Sequence, residues 1–163
     1  KYKNPLGTLK LINKLAERGL HVAVVNYSSI ILARIKAKEN LVIWEGLTRR
    51  DFAQTMLRSR MFCCCSKWEG LGLPVIEAYL LGLKVMSTRI PSAILLSEFD
   101  DNGVRFFNSE DLSADEVEAF LRENQYSALS LNDRMNAVEK AFENWKQYFF
   151  NVFSFDRKYN NIL

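Results

Sequence analysis

Apolar positions along this chain switch between helical and extended spacing several times. Between residues 6 and 18 they fall at Leu6, Leu9, Ile12, Leu15 and Ala16, a helical stripe that Gly19 closes. Residues 21–26 form a short β-branched run and predict a buried strand. A second helix is expected over 29–39 and a second strand over 41–44. Gly46 and then Thr48, a candidate N-cap, introduce a helix through Arg58. The third strand covers 60–66. A helix follows, then a strand over 84–87, a short segment after Pro91, and a strand over 104–107. Ser113 and Glu116 have capping-box spacing at the start of a helix to about residue 123. Two last helices are expected at about 132–150 and 155–163.

Strands that alternate with helices at this spacing imply a parallel sheet covered on both faces, the α/β class. In such folds ligands sit beyond the carboxyl ends of the strands. The run from Glu69 to Tyr79 follows the third strand directly, so it lies at that edge. Gly70 and Gly72 let backbone approach a ligand, and Pro74 suits the first helical position. Free N–H groups at a helix start attract phosphate. The helix is apolar on nearly every side: Val75, Ile76, Ala78, Tyr79, Leu80 and Leu81, with Gly82 as its stop. Such a helix is expected to be buried, and Glu77, its only charge, then needs partners. Glu69 and Glu77 thus bracket a phosphate-ready turn.

Composition narrows the class without changing the picture. The 163 residues are enough for one core, and 48% apolar with 25% charged is ordinary for a soluble domain. A net charge of +3, spread along the chain, is too weak and too dispersed to argue for nucleic acid. Cys63, Cys64 and Cys65 are consecutive, so in a strand they point to opposite faces. That suits neither a disulfide framework nor a tetrahedral metal cage, and favours small buried hydrophobes in a reducing compartment. No apolar stretch approaches a membrane span, and no secretory signal is present. A first residue Lys1 in place of Met implies that something upstream has been removed.

The run Ser66-Lys-Trp-Glu69-Gly-Leu-Gly-Leu-Pro-Val-Ile-Glu77-Ala, followed by Gly82-Leu-Lys-Val85, resembles the signature of group 1 (family 4) retaining glycosyltransferases. The two glutamates, with seven residues between them, have the spacing of that signature. Leu41-Val-Ile-Trp44-Glu-Gly46 is similar to the family's Val-x-Phe-x-Gly strand and turn. Gly103 to Asp111 is similar to the segment after the sheet, which in the family ends in an acidic turn, and Phe153-Ser154-Phe155 to the opening of the last helix. The likeness covers essentially the whole chain.

The resemblance implies the GT-B architecture, in which two Rossmann-like domains face each other across a cleft. This chain resembles the C-terminal, donor-binding half: residues 1–163 as a single Rossmann-like domain, its first strand truncated. On that likeness the missing N-terminal domain is a partner, and the helices over 132–163 dock on it. The implied reaction transfers a sugar, of hexosyl type, with retention, from a nucleoside diphosphate sugar to a glycan or lipid-linked acceptor. The implied setting is bacterial-type polysaccharide or glycoconjugate biosynthesis, in the cytoplasm or at the cytoplasmic face of the membrane. Peripheral membrane association of the full-length enzyme is compatible with this. The fragment alone is expected to be inactive.

Residue by residue, the resemblance gives Glu69 the catalytic position beside the donor sugar and Glu77 the ribose hydroxyls. Lys3 contacts the donor diphosphate. Gly70, Leu71, Gly72 and Leu73 offer backbone groups to sugar and phosphate oxygens, and Leu47 and Thr48 approach the nucleobase. Each has a plainer alternative: a solvated loop glutamate, a glutamate bonded to local backbone, a strand-to-helix turn capped by Thr48. His21 reads as structural. Trp145, Tyr148, Phe149, Phe150 and Phe153 read as core or as a docking surface, with a membrane-facing patch the weaker reading. Amides, a helix N-terminus and Lys/Arg can stabilise a departing phosphate, so neither cofactor nor metal is expected. Between residues 88 and 98 the chain departs from the family pattern, and no contacts are carried over there.

Two alternatives stand beside the transferase: a GT-B nucleotide-sugar epimerase, and a non-catalytic sugar-nucleotide-binding module. A receiver-type signalling domain is disfavoured, because Asn26-Tyr27-Ser28 supplies no acidic cluster at the first strand's end.

Overall fold

The structure is a computed structural model that describes residues 3–25, 38–107, 113–123 and 130–156. Helix α1 (Pro5–Glu17) leads into strand β1 (Val22–Val25). After strand β2 (Leu41–Trp44) come helix α2 (Arg49–Leu57) and strand β3 (Met61–Cys64). Helix α3 (Leu73–Leu80), strand β4 (Lys84–Ser87), helix α4 (Pro91–Ser97) and strand β5 (Val104–Phe106) follow. Helices α5 (Ala114–Arg122) and α6 (Leu131–Asp156) end the described chain. The helix expected over 29–39, the acidic turn at 108–111 and residues 157–163 fall outside the described residues wholly or in large part.

Every strand pair is parallel, as the alternation predicts, but the strands divide into two sheets. β1 pairs with β2, Val22 opposite Leu41. β4 is central in the second sheet, with Val85 opposite Phe62 of β3 and Val104 of β5. No ladder joins β1 to β3 among the described residues.

Two apolar clusters lie on opposite faces of the second sheet, because successive residues of a strand point opposite ways. Val85 faces Val75, Ala78, Tyr79, Ala93, Leu96 and Val138, from α3, α4 and α6. Met86 faces Leu11, Leu15, Val117 and Phe120, from α1 and α5. The cysteines sample both sides: Cys64 packs on the first cluster, Cys63 and Cys65 on the second. Burial pushes all three thiols up, Cys65 to about 12.

Several local expectations shift. The buried stripe of α1 runs through Thr8, Leu11, Ile12, Leu15 and Ala16, while Leu6 is 61% exposed. Thr8 can turn inward because its hydroxyl donates to the Asn4 carbonyl at 2.8 Å. Helix α6 is unbroken through Asp156, where two helices broken near 150–155 are expected from the sequence pattern. Neither Gly nor Pro stands there to stop it. The side chains of Trp145, Tyr148, Phe149, Phe150 and Phe153 lie outside the described ones. No helix among the described residues is long and apolar enough to cross a membrane.

The amino end of β4 holds a buried cation. Lys84 Nζ donates to the carbonyls of Phe120 and Glu123, each at 2.6 Å, at the C-terminus of α5. It also lies 4.9 Å from the Phe120 ring centroid. A cation suits the negative end of a helix, and the terminal carbonyls need donors. Burial lowers the Lys84 pKa, and Glu123 opposes that shift.

Candidate functional site

The loop from Ser66 to Gly72 connects the carboxyl end of β3 to the start of α3. Its root is pinned by the end of β4. Thr88 N–H donates to the Cys64 carbonyl at 3.0 Å, and the Thr88 hydroxyl donates to the Ser66 carbonyl. Gly72 is the N-cap of α3, in the left-handed region at φ 63 and ψ 46. A β-carbon there would stand 2.6 Å from Ser92 Oγ and 3.0 Å from Ile90 Cδ1, so conformation and space both demand glycine. Gly70 is different: its φ is ordinary and nothing lies within 4 Å of a β-carbon built on it. Pro74 occupies the second position of α3, one later than expected, with Leu73 first. Its ring still costs the helix no bond, since neither position has an intrahelical acceptor.

This start leaves backbone donors free. Val75 N–H bonds the Gly72 carbonyl at 2.9 Å. The N–H groups of Leu71, Gly72 and Leu73 have no acceptor among the described residues, and Gly72 offers no capping side chain. Aligned amides at a helix start carry partial positive charge, which an anion can satisfy. The far end is closed: Gly82 (φ 84) donates to Tyr79 and Leu83 to Ala78, a Schellman stop.

A glutamate stands on each side of those amides, and each holds a cation. Glu69 pairs with Lys3, which reaches the loop from the start of α1. Burial alone would raise the Glu69 pKa, but hydrogen bonds from Lys3 and Ser66 outweigh it and hold the carboxyl below its usual value. Glu77 pairs with Arg49, the first residue of α2. The Glu77 side chain is 28% exposed, so it is not the buried charge expected of an all-apolar helix. Val75, Ile76, Ala78 and Tyr79 bury their faces of α3, and position 77 falls on the side that opens toward α2.

The Gly46–Thr48 turn enters the site through Arg49. Gly46 has φ 62, and the Thr48 hydroxyl accepts from Asp51 N–H at 3.2 Å while donating to the Asp51 carboxylate at 2.6 Å. Thr48 is therefore the helix cap it was expected to be, with its hydroxyl proton already engaged. Leu47 is half-buried beside it. The chain thus brings Lys3 to Glu69, and the Thr48–Arg49 turn to Glu77, around the amides of Leu71, Gly72 and Leu73. Arg49 is the residue that sequence reading missed. Its signal was local: Arg49 and Arg50 load the first turn of a helix with positive charge, where the helix dipole disfavours it.

A parallel α/β fold whose loops and helix starts gather at the strands' carboxyl ends places the domain in the Rossmann-like class. The family model "Glycosyl transferases group 1" matches residues 2–143, and the chain belongs to that glycosyltransferase family. No match to an individually curated protein reaches significance.

Proposed function

We propose that this domain binds the nucleoside diphosphate sugar in a retaining glycosyl transfer, as the C-terminal half of a GT-B enzyme. The observation that carries this reading is the set of free amides at Leu71, Gly72 and Leu73, flanked by Glu69 and Glu77. The diphosphate lies at the start of α3, with Lys3 as a further cation. Glu77 accepts the ribose hydroxyls, and Glu69 faces the donor sugar. A carboxylate can take two hydroxyl donors at once, which orients a diol strongly. The leaving diphosphate is stabilised by amides, helix dipole and side-chain cations, so transfer proceeds without a metal or cofactor. Leu47 and Thr48 border the base.

The remaining parts of the reading follow from the same likeness. A facing N-terminal domain supplies the other wall of the cleft and holds a glycan or lipid-linked acceptor. The hexosyl donor, bacterial-type glycan biosynthesis and a cytoplasmic setting belong to this proposal. The edges of β1 and β3 that have no ladder among the described residues support a further strand between them, the family's first. The test is ligand-detected NMR of the full chain against UDP-, GDP- and ADP-sugars. One base series is expected to bind, and binding should survive a chelator. A chain that binds none of the three series would overturn the reading, and an epimerised donor would replace it with the epimerase.

A further inference from the structure

Arg49 occupies a place that its own helix does not explain. It is the first residue of α2, beside Arg50, at the end where the helix dipole is positive. Within that turn Asp51 is the residue that suits the dipole, and its carboxylate already takes the Thr48 hydroxyl. The Arg49 side chain is 81% exposed and reaches out of α2 to the Glu77 carboxylate on α3. Exposed ion pairs of this kind contribute little and open easily. A cation placed against its helix and held by one weak bond is suited to changing partners.

We propose that Arg49 is an exchanging cation: it neutralises Glu77 in the free protein and passes to the ligand's diphosphate when ribose hydroxyls occupy Glu77. The inference rests on the reading that Glu77 holds ribose. The exchange balances in charge. An unneutralised Glu77 would repel an approaching diphosphate, so a paired cation keeps the site open to anions. The arriving ribose brings neutral donors for Glu77, and the phosphates bring the negative charge that Arg49 then needs. A guanidinium presents five N–H donors in a planar fork, which lets it keep one contact while making the next. Lysine offers a point charge without that geometry.

The test compares the full chain with Arg49→Gln, Arg49→Lys and Arg50→Gln. Each is titrated at two salt concentrations with UDP, GDP and ADP by calorimetry, and with uridine, guanosine and adenosine by ligand-detected NMR. Arg49→Gln is expected to weaken the recognised diphosphate about tenfold or more and to flatten its salt dependence. The matching nucleoside should bind as well or better, because Glu77 no longer has to be released. Arg49→Lys should recover part of the loss, and Arg50→Gln should stay within about threefold of the parent chain. Equal losses for nucleoside and diphosphate, no loss at all, or the same loss in Arg50→Gln would overturn the exchange. A Glu77→Gln chain that binds the nucleoside normally would instead overturn the ribose reading. A parent chain that binds no nucleotide would overturn both.

Discussion

Ser92 Oγ stands 2.6 Å from the place where a β-carbon on Gly72 would sit. The hydroxyl is buried and has no hydrogen-bond partner among the described residues, so the glycine at the head of α3 and the serine of α4 are fitted to each other sterically.

Gly72→Ala should therefore damage the loop while Gly70→Ala should not. The left-handed backbone alone costs an alanine about 1–2 kcal/mol, before Ser92 and Ile90 have to move. Gly70 has an ordinary φ and open space around it. Urea unfolding midpoints of both variants check this. Equal destabilisation by the two would mean that the loop's shape is set elsewhere.

The two glutamates should separate by ligand. Glu77→Gln is expected to lose about 1.5–3 kcal/mol of affinity for the free nucleoside diphosphate and for the sugar nucleotide alike. Glu69→Gln should weaken the sugar nucleotide and leave the free diphosphate nearly untouched. Titration calorimetry of both variants with both ligands gives the answer. If Glu69→Gln weakens both ligands equally, the loop is an anion clamp and not a sugar contact.

Lys3 should be visible in the titration of Glu69. The carboxyl is held below its usual value in the folded chain, so its contribution to stability is present above the unfolded value. That contribution fades as pH falls through the lower, folded value. Side-chain carboxyl NMR should place the Glu69 midpoint below that of an unfolded peptide, and Lys3→Met should move it upward. An unmoved midpoint in Lys3→Met would show that Lys3 does not hold the loop in solution.

Lys84→Met should cost stability and spare binding. It removes two hydrogen bonds from a charged donor and leaves the carbonyls of Phe120 and Glu123 without it. A loss of about 1.5–3 kcal/mol is expected. Lys84 lies at the amino end of β4, opposite the edge that carries the glycine loop, so nucleotide affinity should be unchanged. Reduced affinity in a folded variant would contradict that separation.

Much of this molecule is legible in its sequence, and the misses have physical causes. The stop of α3 and the start of α5 come from local chemistry: Gly82 in a left-handed turn and Ser113 as a cap. Glu69 and Lys3 are each singled out through the motif's resemblance to a family, although not as partners of one another. The Glu77–Arg49 pair is not legible, because its residues are 28 positions apart and no period links them. Glu77 looked buried because composition counts how apolar a helix is and not which of its sides meets a neighbour.

The three adjacent cysteines make the carboxyl end of β3 a built-in reporter of breathing. Thiolate is the reactive form, and burial suppresses it at all three positions. Cys65 is buried, so its alkylation in the native chain waits for local opening and its rate measures how often that happens, whereas Cys63 and Cys64 are half-buried. Cys64 answers for the α3–α4–α6 side, and Cys63 and Cys65 for the α1–α5 side. Mapping which thiol is labelled first would show which layer of helices lifts from the sheet more readily, with no residue substituted.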